Sequence, residues 1–116
     1  MIARIGFFAS QTPEVATASR HNLQERFLPA LRSQTGFVAG YWGEAADGRS
    51  VSITIWESEE AMRLGAERAN AIPLLDGQDP ALIASPEYSD LFTISVEAQH
   101  HTPPRSSEDS TRSEDT

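Results

Sequence analysis

Two side chains in this sequence combine a type and a position that could do chemistry. Arg4 lies inside the first apolar run, Ile2-Ala3-Arg4-Ile5-Gly6-Phe7-Phe8, and Trp56 ends the run Val51-Ser52-Ile53-Thr54-Ile55-Trp56. Strand side chains alternate between faces, so Ser52, Thr54 and Trp56 point one way and Val51, Ile53 and Ile55 the other. Ile2, Arg4 and Phe8 share a face by the same count, and the phasing of the two strands puts Arg4 on the face of Trp56. A guanidinium enclosed there could hold an enolate or phenolate formed when a substrate loses a proton. The plainer alternative is an ion pair at a subunit interface, or a strand end in solvent. Ser52, Thr54, Thr93 and Ser95 bring hydroxyls to that face. Such groups are costly inside a sheet layer unless satisfied, so they mark either a solvated cavity or ordinary surface.

The remaining chemically capable residues carry less. His21 has an acidity suited to a general base, but its helical position, off the apolar stripe, fits an ordinary surface histidine. His100-His101 looks like a metal pair, yet adjacent strand residues diverge, and no metal site is expected. Arg20 falls within a helical apolar stripe, where it snorkels or pairs with an acid. The sequence has no cysteine, which removes thiolate nucleophiles and sulfur-based zinc sites. All 9 basic residues are arginines, so Schiff-base chemistry is excluded. A formal charge of −8 argues against nucleic acid as a partner. No apolar run reaches the roughly 20 residues needed to span a bilayer. The expectation is an acidic, soluble protein of a reducing cytoplasm.

The elements that must position Arg4 and Trp56 can be read in order. Ile2 to Ala9 is a strand with apolar groups on both faces, which implies that both are covered. Thr12-Pro13-Glu14 is a helix start: a capping hydroxyl, proline in the first turn and a carboxylate behind it. Ala16, Leu23, Phe27 and Leu31 form the helical stripe. Pro29 predicts a kink after about residue 28, with a continuation to about 34 and a stop at Gly36. Phe37 to Glu44 is a second strand, joined to the Val51 strand by an Asp47-Gly48 hairpin. Ser58 caps a second helix that carries Ala61, Met62, Gly65 and Ala69 on one stripe, with Pro73 ending it. Leu74 to Pro86 reads as a long connection of the kind that forms a lid or an interface arm. Leu91 to Glu97 is the last strand. Residues 1–98 thus form one domain, and the polar stretch 99–116 is expected to be disordered.

The order β-α-β-β-α-β is the ferredoxin-like α+β arrangement, an antiparallel sheet with two helices on one face. On this reading Ile2, Phe8 and Trp56, with Tyr41 or Trp42, lie opposite the helices. That uncovered apolar face predicts a homodimer whose cavity lies between sheet and helices or between the two sheets. Gly36-Phe37 opening a strand, the Asp47-Gly48 hairpin and the run Ile53-Thr54-Ile55-Trp56-Glu57-Ser58-Glu59-Glu60-Ala61-Met62 together resemble the antibiotic biosynthesis monooxygenase domain of the dimeric α/β-barrel superfamily. The resemblance covers about residues 1–98. It implies a barrel built from two chains and a small-molecule site. Relatives include cofactor-independent oxygenases, haem-degrading enzymes, cyclases and isomerases. In the oxygenase and haem-degrading relatives the tryptophan matching Trp56 lines the pocket, which implies a wall for a flat aromatic and an indole N–H donor. The alternative is a tryptophan that fills the dimer core. Haem-degrading relatives carry an asparagine on the first strand and a histidine about one helix-length after the tryptophan. Here the first strand has Arg4, Gly6 and Phe7, and Asn70 is the polar amide of the second helix, so haem degradation is not expected. The implied function is a cofactor-independent monooxygenase acting on an electron-rich aromatic, with Arg4 and Trp56 catalytic and Trp42, Ser52, Thr54 and Thr93 binding substrate. A cyclase or isomerase in the same cavity, and a non-catalytic module whose interior is filled by Trp56, Phe8 and Trp42, are the alternatives. An open cavity touching Trp56 and holding an ionisable group separates the enzymes from the last.

Overall fold

A computed structural model describes residues 1–100. The His100-His101 pair and most of the polar stretch expected to be disordered lie partly or wholly outside the described residues. The chain forms β1 (Ile2–Phe8), a helical run of α1 (Pro13–Asn22), a π-helical turn (Leu23–Phe27) and α2 (Leu28–Arg32), then β2 (Phe37–Glu44), β3 (Ser50–Trp56), α3 (Glu59–Asn70), a short 3-10 turn (Pro80–Leu82) and β4 (Tyr88–Thr93). The four strands make one antiparallel sheet in the order β2-β3-β1-β4. This is the ferredoxin-like α+β arrangement. No helix among the described residues is long and apolar enough to cross a membrane.

Local chemistry explains the boundaries. Thr12 Oγ1 accepts from the Val15 N–H at 3.2 Å, with Pro13 next in the chain where its missing donor is harmless. Ser58 Oγ does the same for Ala61 N–H at 3.1 Å, and Glu59 and Glu60 occupy the first turn of α3. Gly36 (φ 89°) and Gly48 (φ 92°) supply the left-handed backbone at the α2–β2 turn and the β2–β3 hairpin. Instead of a kink at Pro29 the helix widens: Leu28 N–H bonds to the Leu23 carbonyl, a π-type turn ahead of a proline that has no N–H to give. α3 ends at Asn70, three residues before Pro73. β4 begins at Tyr88 rather than Leu91 and stops at Thr93, because its partner β1 starts at Ile2 and offers no further ladder.

The two sheet faces are the reverse of the sequence reading. Register pairs Ile2 with Trp56, Arg4 with Thr54, Gly6 with Ser52 and Phe8 with Ser50, and β2 adds Phe37, Gly40, Trp42 and Glu44 to the same face. That face lies under the helices. Trp56, 1% exposed, packs with Leu31, Met62 and Ala69, flanked by Phe37 and Trp42. The opposite face carries Ala3, Ile5, Phe7, Val51, Ile53, Ile55 and Tyr41, with Tyr88, Asp90 and Phe92 from β4, and no helix among the described residues packs on it. Tyr41 is 62% and Phe92 50% exposed there. Two short helices cannot bury an unbroken row of β-branched side chains and also leave room for hydroxyls and a guanidinium. The mixed row therefore turns inward and the apolar row outward.

Candidate functional site

Between the helical run and the sheet lies a cavity of about 630 Å³ that reaches from Trp56 to a mouth at Glu44. Of the residues singled out from sequence, Arg4, Trp42, Ser52, Thr54 and Trp56 all line it. Thr93 does not. It shares their face but pairs with Ile2 at the far end of the edge strand, exposed. Ser89, unnoticed because β4 was placed three residues late, lines the cavity in its stead.

The floor is graded from large to small. At one end Trp56 meets Phe37 edge-on, with ring centroids 5.2 Å apart and planes at 73°. Its six-membered ring lies against Gly65 of α3, where a Cβ would fall 2.3 Å from Cζ3 and 2.5 Å from Cη2. Trp56 Nε1–H is fully buried and has no hydrogen-bond partner among the described residues. Trp42 lies across Gly40, whose absent Cβ would otherwise meet its ring at 2.5 Å. Toward the mouth the floor is Arg4, Thr54, Gly6, Ser52 and Ser89.

The charged groups differ in how they are engaged. Arg20 Nη2 donates to Glu44 Oε2 at 2.9 Å, as the acid-pairing expectation had it, and both side chains are more than half exposed. Arg26, in the π-helical turn, donates to the backbone carbonyls of Asn70, Ile72 and Pro73 and to Asn22 Oδ1, tying the helical run to the C-terminal end of α3. Ser19 Oγ accepts from Ala84 N–H at 2.9 Å and so holds residues 83–86, another wall, against α1. Arg4, half-buried, makes no hydrogen bond or ion pair within the described residues. His21 is elsewhere: it is exposed and lines a separate wide-mouthed concavity with Glu14, Asp76 and Asp79. Asn70 reaches the cavity, but its Nδ2 donates to the Ala66 carbonyl at 2.9 Å. No described residue lining the cavity is a histidine, cysteine, tyrosine or methionine, so its donor set does not fit a haem iron.

No family model matches the sequence, and no curated protein is similar to it in sequence. Solved structures share the fold. A variant of SnoaB, a cofactor-independent oxygenase from Streptomyces nogalater, is 22% identical, with a TM-score of 0.60 over 85% of this chain and 97% of its own. The monooxygenase from the gene ActVA-Orf6 of Streptomyces coelicolor, in complex with nanaomycin D, is 17% identical, with a TM-score of 0.57 over 86% of this chain and 92% of its own. The haem degrader MhuD from Mycobacterium tuberculosis, with two haems bound, is 15% identical, with a TM-score of 0.59 over 85% of this chain and all of its own. The fold is that of the antibiotic biosynthesis monooxygenases.

Proposed function

We propose that the chain is a cofactor-independent monooxygenase that oxidises a flat, electron-rich aromatic, such as an anthrone or hydroquinone, with dioxygen. The observation that carries this reading is the Arg4 guanidinium, without a partner among the described residues, in a cavity that Trp42 and Trp56 also line. The aromatic lies along Trp42 and Trp56, and its ionised oxygen faces Arg4, with the Ser52 and Thr54 hydroxyls beside it. Donors fixed in place before the charge develops stabilise the anion without reorganising. The anion gives up electrons to dioxygen, a carbon–oxygen bond forms, and loss of water leaves the quinone: one anthrone and one dioxygen become one anthraquinone and one water. The cysteine-free composition suits a reducing cytoplasm.

The protein works as a homodimer in this reading. The uncovered sheet face is apolar apart from Asp90, and Phe7 and Tyr88 stack on it with centroids 4.7 Å apart. A second copy of the same face covers it with one acidic side chain from each copy, Asp90 on the edge strand, in a chain of net charge −8. Support also comes from the shared fold with SnoaB and the ActVA-Orf6 monooxygenase.

The test is oxygen uptake and quinone formation from an anthrone under air, with a metal chelator throughout, for wild type, Arg4→Met and Trp56→Phe. Turnover that ignores the chelator and falls in both variants is the expected result. Wild-type protein that consumes no oxygen with anthrones or hydroquinones would refute the reaction. Product formed without oxygen uptake would point to a cyclase or isomerase in the same cavity.

A further inference from the structure

The ionisable side chains lining the cavity among the described residues are Arg4, Arg20, Arg26 and Glu44. Arg26 is engaged by the backbone carbonyls of Asn70, Ile72 and Pro73. Arg20 and Glu44 hold each other at the mouth. Glu44 is level with Ser50 and Phe8, and Arg4 with Thr54 and Gly40. That is four residues along the strand, roughly 13 Å. Among the described residues, the stretch of floor around Arg4 thus has an unpaired cation and no side chain beside it able to take up a proton. His21, on α1, lines the outer concavity instead.

We propose that the site takes its aromatic ligand as a monoanion whose proton is released to solvent, not to a protein base. The inference rests on the reading above for the aromatic class of the ligand, and not for its oxidation. The step is an acid dissociation: the O–H bond breaks, its electron pair stays on the oxygen facing Arg4, and the proton passes to water or buffer. Two effects oppose each other. The indole walls remove water and favour the neutral form, whereas the Arg4 charge and the surrounding donors favour the anion. An opposite charge at contact range moves an acid by about 1–3 units. The half-buried position of Arg4 puts the expected net shift near the lower bound, about 1 unit. A shift of that size selects a class of substrate: phenols and enols conjugated to a carbonyl, acidic enough to ionise near neutrality with this help. Hydrocarbons, which need a strong base, are excluded, and among hydroquinones only those conjugated to a carbonyl qualify.

The probe is 1,2-dihydroxyanthraquinone, which changes colour on ionisation and, already a quinone, is not consumed by the proposed oxidation. Its colour is titrated against pH, free and bound, and proton release on binding is measured by calorimetry in buffers of different ionisation heat. Wild type is expected to lower the ionisation midpoint by about 1 unit, with every anion counted by colour matched by a proton released to buffer. Arg4→Met should abolish the shift, and Glu44→Gln should keep both the shift and the release. A midpoint unmoved or raised, a shift that survives Arg4→Met, anion formed without matching proton release, or no binding would each overturn the proposal. Oxygen uptake is not read, so a chain that binds the anion yet never oxidises an anthrone upholds this inference and refutes the reaction.

Discussion

Replacing Trp56 with phenylalanine should leave the fold standing while removing a buried N–H beside the cavity. Alanine cannot make that separation. Trp56 is 1% exposed and belongs to the core with Leu31, Met62 and Ala69. Its truncation to alanine should cost about 3–5 kcal/mol, a large share of the roughly 5–15 kcal/mol that holds a domain together. Phenylalanine keeps a ring in place and leaves a gap opposite Gly65, worth about 1–2 kcal/mol at ~0.8 kcal/mol per missing carbon. It also deletes a buried N–H that has no partner, a group whose burial costs about 1–3 kcal/mol. The two terms offset, and the net change in stability should stay within about 2 kcal/mol. If the N–H donates to an anion, its loss should weaken binding by about 1.5–3 kcal/mol, or about 10–150-fold. Denaturant titration gives the first quantity and dihydroxyanthraquinone affinity the second. A variant destabilised by well over about 2 kcal/mol with unchanged affinity would make Trp56 a core residue and nothing more.

Gly65→Ala sets helix propensity, a gain of about 0.8–1.0 kcal/mol, against overpacking of about 1–3 kcal/mol, because the new Cβ would fall 2.3 Å from Trp56 Cζ3. The expected net loss is about 1 kcal/mol, seen as a melting point lower by about 4–8 °C, with altered tryptophan emission. A stabilised variant would show that the indole is not wedged there. Ile53→Glu, at the centre of the uncovered face, should yield a folded monomer by light scattering, and a dimer that persists would place the interface elsewhere. Asp47 receives the Arg49 backbone N–H at 3.1 Å and its guanidinium Nε at 2.8 Å, and the backbone bond is the main cause holding its carboxyl below the ordinary value of 3.8. The folded form is the more acidic, so its contribution is complete above 3.8 and fades only as pH falls through the lower, folded value. Hairpin amide protection should therefore weaken below pH 3.8 in wild type and lose that dependence in Asp47→Asn.

The elements were legible because their signals are local. Thr12-Pro13, Ser58-Glu59-Glu60 and Asp47-Gly48 each settle a boundary through hydrogen bonds within a few residues. The placing of Arg4 on the face of Trp56 followed from parity within each strand together with the phasing assumed between the two strands, which the register matches. Which face the helices cover was not legible, since parity is silent on it. Ile2, Phe8 and Trp56 looked like the surplus apolar group, but the helices pack on them, and the row Val51, Ile53, Ile55 faces outward. Arg26 escaped notice for a different reason: its partners Asn70, Ile72 and Pro73 lie more than forty residues away and offer only backbone carbonyls, which no side-chain pattern announces.

The cavity itself follows from volume that the sequence withholds. At the level of Trp56 the floor supplies Ile2 and Phe37 as well, and Leu31 and Met62 close down on it. One step on, the floor is Arg4, Thr54 and Gly40, and beyond that Gly6, Ser52 and Ser89. A helix resting on the tall end cannot also touch the short end, because a rigid rod follows its highest support. The π-helical turn and the Arg26 bonds fix that height at α3, and Ser19 fixes the loop that walls the side. Hydroxyls and a guanidinium can line the resulting space because water reaches them through the mouth, whereas under a fully seated helix each would be buried without a partner. The polar residues of β3 and the uncovered apolar row are thus two sides of one alternation: the inward row gives up packing to keep a cavity open, and the outward row carries the apolar side chains that the described helices do not cover.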